Sequence, residues 1–225
     1  MAPEALKEGV RIAVGRVAVD ADLHVPDRAT GLVVFAHGSG SSRFSRRNRA
    51  VAVALESAGF GTLLLDLLTP AEESVDERTR EHRFDIEMLG ERVVGAIDWM
   101  RTRLDLRDLP VALFGASTGA AAALIAAAAR PEAVRAVISR GGRPDLADRA
   151  LPNVQAPTLL IVGGHDEPVI DMNRDAMLHM RAPVELEIVP GATHLFEERG
   201  ALEQVTRLAT DWCRRHLREQ TRQGR

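Results

Sequence analysis

The stretch VALFGASTGAAAALIAAAAR, residues 111–130, decides the fold. Val111 to Phe114 is a short apolar run of the kind that fills a strand covered on both faces. Ser117 to Arg130 is almost entirely alanine and reads as a helix of small profile, ended by Arg130-Pro131. Between them stands Gly115-Ala116-Ser117-Thr118-Gly119, a G-x-S-x-G sequence in a strand-turn-helix setting. So sharp a turn needs small flanking residues, and it lifts the serine hydroxyl above the sheet at the positive end of a helix. The simpler use of such a serine is to cap the helix, and only its surroundings decide between the two.

Outward from this turn, the pattern repeats. Val10 to Val14 and Val17 to Val25 alternate around Gly15-Arg16 and predict an antiparallel hairpin. Continuous apolar runs follow at Leu32–Ala36, Phe60–Leu68, Ala133–Ser139, Thr158–Val162 and Val184–Val189, the pattern of buried parallel strands. Between them the period becomes helical, with Ile86, Leu89, Val93, Ile97, Met100 and Leu104 on one stripe and Leu202, Val205, Leu208 and Trp212 on another. Asp171 reads as the N-cap of a helix over Met172–Met180, with Met172, Met177 and Met180 facing the core. The prediction is an α/β fold: a mostly parallel twisted sheet with an N-terminal antiparallel hairpin and helices on both faces. No repeat or linker divides residues 1–225, so a single domain is expected. Few residues separate Ser139 from Thr158, which leaves no room there for a large cap.

A serine needs a base to take its proton, and the base needs an orienting acid. Asp166 follows the run Thr158–Val162 in Gly163-Gly164-His165-Asp166-Glu167-Pro168-Val169. His194 follows Val184–Val189 in Pro190-Gly191-Ala192-Thr193-His194-Leu195-Phe196. Both sit where strands end, and Ser117, Asp166, His194 is the chain order this kind of fold requires. Glu167 is the rival acid. His24, His82, His179 and His216 lie in the hairpin or in helices, away from such loops. The segment His37-Gly38-Ser39-Gly40 follows Leu32–Ala36 and assigns the backbone amides of Ser39 and Thr118 to an oxyanion hole, with Gly40 the alternative to Ser39. His37 is expected to brace that loop. Arg140 and Arg143 flank Gly141-Gly142 at a strand end and are candidate ligands for a substrate anion, as are Arg43, Arg46, Arg47 and Arg49.

These motifs make the chain similar, over nearly its whole length, to the α/β-hydrolase superfamily, and within it to the dienelactone hydrolase-like branch. Gly-Gly-His-Asp-Glu-Pro-Val and Pro-Gly-Ala-Thr-His-Leu-Phe are typical contexts of that branch. Its namesakes carry cysteine in the elbow and a glutamate in the loop that here reads Ser39-Gly40. The resemblance, with Ser117 in place of cysteine, implies a carboxylesterase-like serine hydrolase acting on small esters, thioesters or lactones, without a cofactor. A catalytically degenerate binding domain and a true dienelactone hydrolase are the alternatives.

Composition narrows the rest. The net charge of −3 gives no electrostatic reason to expect nucleic acid. The longest apolar run, Ala120–Ala129, is far below the roughly 20 residues of a membrane span. Charged residues among Met1–Val14 argue against a signal peptide, so the cytoplasm is expected. Cys213 is the sole cysteine and is expected to pack in the core. A short-chain dehydrogenase would need a Tyr and Lys pair, but the sequence has no tyrosine and its one lysine is Lys7. A zinc hydrolase built on His165, Asp166 and His194 lacks histidine pairs at ligand spacing. The oligomeric state is left open.

Overall fold

The structure, a computed structural model, describes residues 5–217. Eight strands form one sheet in the order β1-β2-β4-β3-β5-β6-β7-β8. The predicted hairpin is β1 (Leu6–Val14) and β2 (Val17–Val25), and β2 runs antiparallel to β4 (Gly61–Leu65). From β4 onward, β3 (Leu32–Ala36), β5 (Val111–Ala116), β6 (Val134–Arg140), β7 (Thr158–Gly163) and β8 (Val184–Val189) are all parallel. The four strands β3, β4, β5 and β7 are buried at every position, which is why they read as unbroken apolar runs.

Two helical layers cover the sheet. On one face α3 (Ile86–Thr102) and α4 (Thr118–Ala129) pack together, and nine residues of α4 are buried. Alanine suits that place, because small side chains let a helix approach both the sheet and its neighbour closely. On the other face α1 (Arg46–Ser57) and α6 (Ala201–His216) lie over a core that includes Phe35, Phe60, Phe114, Phe196 and Trp212. Cys213 is buried there, and burial pushes its thiol pKa up to about 12, consistent with a packing role.

Three local readings need correction. Helix α5 spans Glu167–His179 and starts directly after Asp166, so Asp171 is an exposed position inside it and not its cap. Pro168 explains the early start, since its missing N–H costs nothing in a first helical turn. The buried face of α5 is Val169, Ile170, Asn173 and Ala176, leaving Met172, Met177 and Met180 half-buried. Leu104 lies beyond the end of α3 and is exposed.

The β6–β7 connection carries only a 3-10 segment, Pro144–Asn153, held against α4 and α5. The β4–α3 connection, which gave no helical period in the sequence, forms α2 (Pro70–Thr79) and a 3-10 turn at His82–Phe84. Thr69 and Glu72 make a capping box at the start of α2.

Candidate active site

Ser117 stands between β5 and α4 with φ 51° and ψ −122°, a left-side conformation that a residue with a Cβ adopts only under constraint. The constraint comes from packing. A Cβ on Gly115 would run into the backbone of Ala120, and one on Gly119 into the carbonyls of Ala36 and His37. The Ser117 amide donates to the Arg140 carbonyl at 3.3 Å, and the Arg143 amide donates to the Ser117 carbonyl at 3.1 Å. The Ser117 side chain makes no capping hydrogen bond to α4. The simpler use of this serine is therefore not realised, and its hydroxyl is left uncommitted.

Asp166 and His194 are brought together. His194 Nδ1 donates to Asp166 Oδ2 at 2.7 Å, with the carboxylate more sheltered than the ring. Asp166 occupies the cap position of α5 but does not cap it, because its side chain turns to the histidine instead. Two bonds between the loops fix this meeting, from the Gly164 amide to the Val189 carbonyl at 2.8 Å and from the His165 amide to the Ala192 carbonyl at 2.9 Å. The buried Phe196 ring anchors the turn after His194, and Thr193 donates through its amide and its hydroxyl to the Glu198 carboxylate, at 3.1 Å and 2.6 Å. The His194 ring lies over Gly141, where a Cβ would stand 3.6 Å from Cε1. Gly141 follows Arg140, whose carbonyl holds the Ser117 amide, so the three predicted residues share one edge of the sheet. The Glu167 side chain is exposed and makes no hydrogen bond among the described residues.

The loop after β3 packs against the elbow so closely that a Cβ on Gly38 would sit 3.1 Å from the Ser117 Cβ. His37 is buried; its Nδ1 donates to the Gly38 carbonyl at 2.9 Å and its Nε2 accepts from the Leu67 amide at 3.0 Å. Burial lowers its pKa, more than the Gly38 bond and the Asp66 charge raise it. A neutral ring is also what the Leu67 bond requires. The Ser39 amide donates to Thr118 Oγ1 at 3.0 Å, the two hydroxyls meet at 2.9 Å, and Ser39 Oγ donates to the Arg83 carbonyl at 3.2 Å. The first amides of a helix have no acceptor within it, which leaves the Thr118 N–H available at the start of α4. Nothing in the residues around Thr118 signals that its side chain latches the Ser39 loop. Its contact spans 79 residues of chain and depends on how β3 and β5 lie side by side.

The arginines divide sharply. Arg143 is bound through Nε and Nη2 to Asp145 at 2.9 Å and 2.7 Å, Arg43 is paired with Asp66 and Asp22, and Arg49 with Asp22 at 2.7 Å. Arg47 reaches Glu197 at 2.9 Å. Arg140 is buried and has no acid partner among the described residues. A cavity of about 100 Å³ opens beside Ser39 and Thr118, walled by Leu67, Leu68, Leu89, Asp76 and Arg83. Among the described residues, no group of three or more His, Cys, Asp or Glu side chains is arranged to hold a metal ion.

Residues 19–217 match the model of the dienelactone hydrolase family. The chain belongs to that family. A dienelactone hydrolase from Anabaena variabilis of known crystal structure is 56% identical, with a TM-score of 0.93 over 96% of this chain and 100% of its own. An esterase domain from a Rhodothermus marinus protein, 20% identical, shares the fold with a TM-score of 0.74 over 94% of this chain and 100% of its own. Proteins from two strains of Mycobacterium tuberculosis, provisionally named phosphoribosyl transferases, are 55% identical over 96% of this chain and 48% of their own length. The chain thus spans about half the length of the curated relatives it matches. It has the α/β-hydrolase fold, with the eight-stranded, mostly parallel sheet flanked by helices. No helix among the described residues is long and apolar enough to cross a membrane.

Proposed function

We propose that the chain is a serine hydrolase of the carboxylesterase type, cleaving small carboxylic esters, or related thioesters and lactones, through an acyl-enzyme on Ser117. The observation that carries this reading is the 2.7 Å bond between His194 Nδ1 and Asp166 Oδ2 on the sheet edge that holds a strained, uncapped Ser117. With Nδ1 donating to Asp166, His194 Nε2 is the acceptor left to take the serine proton. Ser117 Oγ bonds to the substrate carbonyl carbon, and the oxyanion that forms is held by the amides of Thr118 and Ser39, taking the place of Thr118 Oγ1 as the acceptor of the Ser39 N–H. Gly40 is the alternative donor to Ser39. The imidazolium then protonates the leaving alkoxide as its bond to carbon breaks. Water, deprotonated by the same nitrogen, attacks the acyl carbon; the bond from that carbon to Ser117 Oγ then breaks, His194 returns the proton to Oγ, and the carboxylic acid leaves.

The small cavity beside the oxyanion loop and the brief β6–β7 connection favour short acyl groups. Each methylene left in water forgoes roughly 0.8 kcal/mol of binding. Dienelactone hydrolysis uses the same steps on a cyclic ester and is tested in the same substrate panel. The hydrolase reading concerns the part of the mycobacterial relatives that aligns with this chain, whereas their name applies to proteins about twice as long.

Labelling with a fluorophosphonate, followed by peptide mapping, tests the proposal. Ser117 is expected to carry the label, and Ser117→Ala to lose both label and ester hydrolysis, the latter by on the order of 10⁴-fold or more. Normal turnover by a folded Ser117→Ala variant contradicts the reading, and a catalytically degenerate binding domain predicts no label in the parent protein. Efficiency rising from acetyl to dodecanoyl esters contradicts the short-acyl preference.

A further inference from the structure

Alternate residues of a strand share a face, so the position after Ala136 and Ile138 on the α1–α6 side of β6 is Arg140. It is 8% exposed, and its Nε and Nη1 are enclosed with no hydrogen-bond partner among the described residues. Arg92, buried to the same degree, is bound to Glu72 at 2.7 Å. No carboxylate acts on Arg140. Burial first, and then the neighbouring Arg47 guanidinium, push its pKa down to about 10, which still leaves it charged at neutral pH. A buried cation with neither counter-charge nor acceptor is among the costliest arrangements a fold can hold.

The neighbour is equally out of place. Arg46 and Arg47 open α1 behind the Ser45 cap, and its first turn contains no acid. The positive end of a helix favours acids there and opposes guanidinium groups. Among the described residues Arg47 Nε is enclosed and unpartnered, and the acid Arg47 reaches, Glu197, is exposed. Arg47, which springs from the first turn of α1, is thus the charged neighbour of Arg140 at the end of β6. The backbone of the same Arg140 holds the Ser117 amide.

We propose that Arg140, Arg47 and the N-terminal turn of α1 form an anion site beside Ser117, and that its ligand is a phosphate group carried by the ester substrate. This rests on the serine hydrolase reading. One arginine fork satisfies the two oxygens of a carboxylate, whereas two guanidinium groups and free helix amides match the charge and the several acceptor oxygens of a phosphate dianion. Arg143, satisfied by Asp145, has no part in the site.

Calorimetric titration of the protein with inorganic phosphate, in chloride buffer at constant ionic strength, tests the site without reference to catalysis. Saturable binding is expected, weakened at least about 10-fold in Arg140→Met and several-fold in Arg47→Gln. Thermal unfolding separates this from misfolding. In chloride alone Arg140→Met is expected to unfold at a higher temperature than the parent, because an apolar chain replaces an unpaired buried charge, and phosphate is expected to raise the parent's midpoint but not the variant's. Absence of saturable phosphate binding, or acetate binding as tightly as phosphate, overturns the site. The substrate arm compares an acetyl ester that bears a phosphate with its neutral counterpart, and kcat/KM for the phosphate ester is expected to fall at least about 10-fold further in Arg140→Met. Equal losses on both esters overturn the assignment to substrate and leave free phosphate as the ligand. Failure of the hydrolase reading registers separately, as the absence of fluorophosphonate label on Ser117.

Discussion

The two flanks of Ser117 treat charge in opposite ways. On the β7–β8 side, Asp166 meets His194, Thr193 meets Glu198, and the Gly164 and His165 amides are held by the carbonyls of Val189 and Ala192. On the β3–α1–β6 side, a backbone amide is held by a side-chain hydroxyl 79 residues away, and Arg140 has no partner among the described residues. The first flank is a self-sufficient device for orienting an imidazole. The second leaves the Nε and Nη1 of Arg140 without an acceptor among the described residues.

The sharpest way to break this comparison is at Asp166. Asp166→Asn keeps the shape of the pair but favours the wrong histidine tautomer, and is expected to lower kcat about 10³- to 10⁴-fold, while the exposed Glu167→Gln changes it little. Steady-state kinetics on an acetyl ester decide it, and a larger loss from Glu167→Gln reverses the assignment of the acid. Next in size is Gly119→Ala, which forces a methyl group against the carbonyls of Ala36 and His37 where the two flanks meet. It is expected to cost about 1–3 kcal/mol in urea unfolding, and an unchanged midpoint denies that close packing builds the elbow.

Thr118→Val sharpens the contrast from the donor side. It removes the hydroxyl that accepts from the Ser39 amide, and is expected to lower kcat up to about tenfold with little change in KM. A change confined to KM denies that the Thr118 hydroxyl positions the Ser39 amide for the oxyanion. The smallest effect concerns pH and His37. Because burial lowers its pKa, the folded chain binds this proton less readily than the unfolded chain, whose value is near 6.5. That contribution to stability is complete above about pH 6.5 and declines as pH falls below it. His216 shifts in the same direction. Urea midpoints measured from pH 7.5 to 5 are expected to fall, and to fall less in His37→Gln. Equal slopes in the two proteins remove His37 from the acid sensitivity.

The sequence by itself determined the sheet, the elbow and the identity of the loops that carry Asp166 and His194, because each is written in neighbouring residues. Apolar runs mark strands buried on both faces, Gly115 and Gly119 flank a turn with no room for a Cβ at either, and the two loops follow strands directly. The helix start at Glu167 was hidden because Asp171 offered a good cap five residues after Asp166, whereas the Asp166 side chain, turned to His194, does not cap the helix it precedes. Helix α2 left no apolar period to read, since it buries little more than Asp76, which is bound by Arg83. The arginines were indistinguishable as letters. Arg143 and Arg140 stand three residues apart, yet one faces Asp145 and the other the α1–α6 core beside Arg47. Tertiary structure alone decided that difference, because a charge is satisfied or stranded by what other segments bring to it, and neither Arg47 nor the end of β6 carries in its own sequence the position of the other.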